Sequence, residues 1–155
     1  MPTIEIICLE QETPLEFFNL PFALEAENKL IPHRGLFYEE FKLRRGCIYH
    51  LENPEMRDDN GGGFFADKLL NWKNSHEFLQ FKPEFVPAVQ NLLESLLATS
   101  PIKKLIFYSD YQFGGRARRY KRPLTLEKFW EKHNAESLRL NALYWLIDDN
   151  ESRSK

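Results

Sequence analysis

Residues 85–109 read FVPAVQNLLESLLATSPIKKLIFYS, and this stretch decides the fold class. Phe85, Val89, Leu92, Leu93, Leu96 and Leu97 recur at three- and four-residue spacing, which makes one apolar stripe on a helix. Pro87 lacks a backbone N–H and would cost about 3 kcal/mol in a helix interior, so the regular helix is expected to start near Val86. Ser100-Pro101 ends it. Residues 103–109 then switch to a short β-branched and aromatic run, expected as a central strand. The chain therefore carries both a helical and a strand period within 25 residues.

Working outward, residues 4–9 (IEIICL) and 47–51 (CIYHL) read as strands, with shorter candidates at 36–43 and 77–81 (EFLQF). Residues 64–74 place Phe65, Leu69 and Trp72 on one helical face. From 13 to 32 the pattern is ambiguous, because Pro14, Pro21 and Pro32 interrupt any long helix. Residues 53–63 (NPEMRDDNGGG) concentrate turn formers and read as a loop within one domain. A basic, glycine-containing loop is expected over 110–123.

A second helix is expected from 124 to 133. Thr125 can cap its exposed N–H groups, Glu127 favours its positive end, and Leu124 can staple onto Phe129. Leu126, Phe129, Trp130 and His133 form its buried stripe, with His133 a C-terminal cap or core group. Residues 138–147 (LRLNALYWLI) read as a long strand. Strands with few helices, lacking strict βαβ alternation, predict an α+β fold. The expectation is a single domain over 1–148 with a mostly antiparallel or mixed sheet, about three helices packed on it, and a polar tail over 149–155.

Composition bounds the function. A chain of 155 residues with 13 Phe, six Tyr and three Trp has ample material for a core, which excludes disorder as the default. Nothing approaches ~18 consecutive apolar residues, so no membrane span is expected. The N-terminus lacks the basic flank and apolar stretch of a secretory signal, and Cys8 and Cys47 are too few for a disulfide framework. A cytoplasmic location follows as the expectation. The net charge of −2 conceals two poles. Residues 1–28 carry Glu5, Glu10, Glu12, Glu16, Glu25 and Glu27 with no Lys or Arg. Residues 102–122 carry Lys103, Lys104, Arg116, Arg118, Arg119, Lys121 and Arg122 against Asp110 alone.

No motif announces catalysis. Residues 61–66 (GGGFFA) fit G-x-G-x-x-A, but Asp58, Asp59 and Asn60 precede them where a dinucleotide fingerprint needs a strand, and carboxylates repel a phosphate. The same stretch fails as a calcium loop, since Met56 falls where the first carboxylate belongs. His33, His50, His76 and His133 show no metal-ligand spacing, and neither cysteine lies in C-x-x-C. His50 reads as structural. A Cys47–His pair stays open, because such partners meet only in three dimensions. Adjacent acids such as Glu39-Glu40 and Asp148-Asp149 read as solvated surface. No enzymatic activity, metal or cofactor is expected.

The most distinctive segment is 108–122, YSDYQFGGRARRYKR. Interleaved tyrosines and arginines suit stacking on bases and pairing with phosphates. They equally suit a protein–protein hot spot. A third reading folds this basic segment over the acidic N-terminal region.

The helix ending in Ser100-Pro101, the strand 104–112 (KLIFYSDYQ), a variable polar loop, 124–130 (LTLEKFW) and 138–144 (LRLNALY) together form a pattern. It resembles the C-terminal half of small bacterial immunity proteins from contact-dependent and other polymorphic toxin systems, over residues 92–147. The resemblance implies a cytoplasmic, non-enzymatic protein that binds one cognate toxin domain and neutralises it by occlusion. It carries no binding residue over by motif. The charge layout nominates two candidate surfaces: Tyr111, Arg116, Arg118, Arg119 and Tyr120, or Glu10, Glu12 and Glu16. A small nucleic-acid-binding protein using 108–122 is the alternative.

Overall fold

The computed structural model describes residues 3–27, 45–52, 78–110 and 118–149. Their order is β1 (Thr3–Leu9), β2 (Ala23–Glu27), β3 (Gly46–Glu52), α1 (Val86–Thr99), β4 (Lys104–Asp110), β5 (Arg118–Thr125), α2 (Leu126–Asn134) and β6 (Ala142–Ile147). The strands form one six-stranded sheet in the order β2-β3-β1-β4-β6-β5. Every neighbouring pair is antiparallel except β5 and β6, so the sheet is mixed and the fold is α+β. The parallel pair is joined through α2, as a parallel crossover requires.

Two helices lie among the described residues, against about three expected. The third, over 64–74, and the candidate strand 36–43 lie outside the described residues. So does the tail beyond Asp149. The helix α1 starts at Val86 with Pro87 in its first turn, where a missing N–H costs nothing, and buries Val89, Leu92, Leu93, Leu96 and Leu97. Thr125 caps α2 by accepting the Lys128 N–H at 3.2 Å.

Both faces of the sheet are covered. On the helix face, Ile4, Ile6, Cys8, Cys47, Tyr49, Leu51, Leu105, Phe107, Tyr144 and Leu146 pack with the helical stripes. On the opposite face, Ile7, Ile48, Ile106 and Leu143 are fully buried, with Leu9, Tyr108 and Trp145 packed against them. Two-sided burial explains why β1 and β4 read as near-continuous apolar runs and not as an alternation.

Three expectations need correction. Residues 118–123, expected as loop, belong to β5, because β6 offers a backbone edge that pairs from Arg118 to Thr125 across a bulge between Tyr120 and Leu124. The long strand over 138–147 starts only at Ala142. Asn141, with φ 53, turns the chain, and Leu138–Leu140 instead lie beside 78–79 through the Phe78–Arg139 bridge and the Leu79 N–H on the Leu138 carbonyl. Of the candidate strand 77–81, the described residues 78–81 form bridges at Phe78 and Phe81 and not a full strand. The ambiguous stretch 13–32 contains β2, whose residues ALEAE show little strand propensity.

Candidate functional site

The chain between β1 and β2 is an ordered loop, residues 10–22. Glu10 and Asn19 take left-handed backbone angles, φ 62 and 60, and the Glu10 N–H donates to the Arg45 carbonyl at 3.1 Å. Tyr49 of β3 then pins the loop from below. Its hydroxyl accepts the Leu15 N–H at 2.8 Å and donates to Gln11 Oε1, while the Cys47 thiol donates to the Gln11 carbonyl. Burial is the main cause pushing the Tyr49 hydroxyl above its usual pKa, so it stays protonated as this donor.

Leu15, Phe17, Leu20 and Phe22 turn inward against the core, Phe17 edge-on to Tyr49 and Phe22 edge-on to Phe85. Phe18 points the other way and is 77% exposed. Glu10, Glu12 and Glu16 on the same loop are exposed. Glu12 stands 3.8 Å from Arg45, a surface pair of little energetic weight. An aromatic anchor framed by carboxylates on a fixed backbone is suited to a basic surface with an apolar recess.

The second surface lies at the far edge of the sheet. Arg118 is exposed on β5, and Arg119 and Tyr120 are half-buried. Tyr120 stacks on Tyr144 of β6 with ring centroids 4.7 Å apart and planes 3° from parallel. Burial is the largest cause raising the Tyr144 pKa, and its hydroxyl accepts the Arg139 N–H at 2.7 Å. Beside this pair opens a cleft of about 450 Å³ lined by Arg119, Tyr120, Lys121, Arg122, Leu124, Lys132, Ser137 and Tyr144.

The structure separates the two poles. Loop 10–22 runs from β1 over to β2, whereas β5 lies three strands to the other side of β1. At about 4.8 Å per strand the gap is about 14 Å before any displacement along the strands. The described part of the basic segment therefore does not fold over the acidic one. The segment 108–122 is itself divided, since Tyr108 packs on one face of the sheet and Tyr120 on the other. Tyr111 and Arg116 lie outside the described residues.

Sequence reasoning missed Phe18, whose one signal was an apolar pair, Phe17-Phe18, in an acidic and proline-bearing stretch. It also missed Lys132, which reaches the cleft from α2 and has no local signal linking it to Arg119.

Among the described residues the two cysteines and two histidines have structural roles, while His33 and His76 lie outside the described residues. Cys8 and Cys47 sit opposite each other across β1 and β3, both buried, and burial raises both thiols above their usual pKa. Cys47 faces the helices while His50 faces the opposite side, so these two do not form a nucleophile–base pair. His50 Nδ1 lies 3.4 Å from Glu5, and Nε2 lies 3.9 Å from Glu27. His133 is buried, stacks on Phe81, and accepts the Phe81 N–H through Nε2 at 3.0 Å. Among the described residues no group of three His, Cys, Asp or Glu is placed to hold a metal, and no helix is long and apolar enough to cross a membrane.

Comparison of the chain with protein-family models, curated proteins and solved structures gives no match.

Proposed function

We propose that this chain is a non-enzymatic binding protein of the immunity type, which neutralises a toxin domain by seating loop 10–22 on a basic surface of that domain. One observation carries the reading: Phe18 stands 77% exposed on a backbone that Tyr49, Gln11 and Leu15 hold in place. An isolated Phe on the surface of a chain with this much aromatic material is ordinary by itself. On a fixed acidic loop it becomes a preorganised anchor, because ordering costs are met before the partner arrives. Glu10, Glu12 and Glu16 add steering toward a cationic cleft of the kind that substrate-binding nuclease toxins present. The resemblance over residues 92–147 points to the same class.

The test is co-expression with the C-terminal domain of the protein encoded by the neighbouring gene, which the reading requires to be a toxin. The wild-type chain restores growth. Phe18→Ser abolishes rescue and weakens the purified complex at least about tenfold, as for an aromatic hot spot worth about 2 kcal/mol. Its melting temperature stays unchanged, because Phe18 supports nothing in the core. Full rescue by a Phe18→Ser, Glu12→Lys, Glu16→Lys variant would refute this use of the loop.

A further inference from the structure

We propose that the cleft between β5 and the end of α2 is a binding site for a nucleoside phosphate, separate from loop 10–22 and independent of its role. Four cationic residues, Arg119, Lys121, Arg122 and Lys132, line about 450 Å³, Arg119 from a position paired with Leu143 on the sheet face opposite Tyr120, and no carboxylate lines it. Lys121, Arg122 and Lys132 have no ion-pair partner among the described residues. The positive charge of Lys121, Arg122 and Lys132 at a concavity raises the local concentration of anions. Arg122 adds a planar donor fork of the kind that matches phosphate oxygens in pairs.

The end of α2 would ordinarily oppose an anion, because helix C-terminal carbonyls carry partial negative charge. Here three of those carbonyls, of Glu131, Lys132 and His133, are taken up. The Ala135 N–H binds the Glu131 carbonyl, the Glu136 N–H binds that of His133, and both the N–H and the hydroxyl of Ser137 bind that of Lys132. Lys132 itself adds positive charge at this end.

The non-polar part of the cleft matches the other half of the ligand. Leu124 and Tyr120, the latter backed by the buried Tyr144 ring, give it an apolar, aromatic wall of the kind against which a nucleobase packs. The volume falls within the range of small-ligand sites, about 300–1,000 Å³. A polynucleotide track would need successive aromatic platforms, and among the described residues of this segment Tyr108 lies on the opposite face of the sheet from Tyr120. A single nucleotide is therefore the better fit.

Titration of the full chain with ADP at low salt, followed by calorimetry and by amide NMR shifts on β5 and α2, tests this. The expected result is one ADP per chain with a dissociation constant between about 1 μM and 1 mM. Pyrophosphate binds more weakly at the same residues, and adenosine without phosphate does not saturate. Arg122→Glu combined with Lys132→Glu, both exposed, weakens ADP at least about tenfold through loss of charge-assisted contacts while the melting temperature holds. Phe18→Ser leaves ADP binding intact, which separates this site from the loop. Three results would overturn the proposal: no saturable ADP binding, ADP binding undiminished in the double variant, or a single-stranded oligonucleotide binding more tightly than ADP with a steep salt dependence.

Discussion

Replacing Tyr49 with Phe removes one oxygen and tests how loop 10–22 is held. The ring keeps its packing, edge-on to Phe17 and fully buried. What disappears is the acceptor for the Leu15 N–H and the donor to Gln11 Oε1. Gln11 is 6% exposed, so water cannot readily replace the lost donor, and an unsatisfied buried acceptor costs about 1–3 kcal/mol. Leu15 is half-buried and can be partly rehydrated, which adds less. The sum is about 2 kcal/mol. For a chain of this size, about 2–4 °C of melting temperature accompanies each kcal/mol, so Tyr49→Phe lowers Tm by about 4–8 °C. Calorimetry measures the shift, and hydrogen exchange over residues 11–18 measures the loosening of the loop. If the loop binds a toxin domain as proposed, affinity for it falls as well, because binding must then order the loop. A Tm within about 1 °C of wild type, together with unchanged exchange over 11–18, refutes the claim that this hydroxyl fixes the loop.

Two further outcomes follow from the same packing. His50 has its pKa raised above 6.5, first by its hydrogen bond to Glu5 and then by the charges of Glu5, Glu27 and Glu25, against the opposing effect of burial. A raised folded-state pKa means that protonation favours the fold, so this stabilisation is complete below about pH 6.5 and is lost as pH rises through the folded value. Urea melts across that range should show wild-type stability falling relative to His50→Gln, and parallel curves would count against the coupling. Gly46 opens β3 at φ +145, with a side-chain carbon at that position driven into the Cys8 carbonyl. Gly46→Ala therefore costs at least about 3 kcal/mol through strain and overpacking, and a wild-type urea midpoint would show that the contact is relieved cheaply.

The helices were legible because their determinants are local. The stripe from Val89 to Leu97, Pro87 in the first turn and the Thr125 cap all lie within the segment they organise. The strands β1, β3 and β4 were legible too, since two-sided burial leaves unmistakable apolar runs. The edges of the sheet were not. β2 is ALEAE, and it is a strand because β3 pairs with it and because Glu25 and Glu27 meet His50 across that pairing. β5 is RRYKRPLT, charged and containing Pro123, a composition tolerated at an edge and nowhere else in a sheet.

The candidate sites divide along the same line. Composition by itself marked out an acidic N-terminal stretch and a basic, tyrosine-rich one near residue 120, and the order of helical and strand periods determined the α+β class. Only the tertiary structure decided that the two stretches sit on opposite sides of β1, that Lys132 joins Arg119 and Arg122 around one cleft, and that Phe18 faces outward while Phe17 packs against Tyr49. The reason is the range of the interactions. A helix closes its hydrogen bonds within its own residues, whereas an edge strand, a cleft and an uncovered ring exist only through what distant segments supply or leave bare.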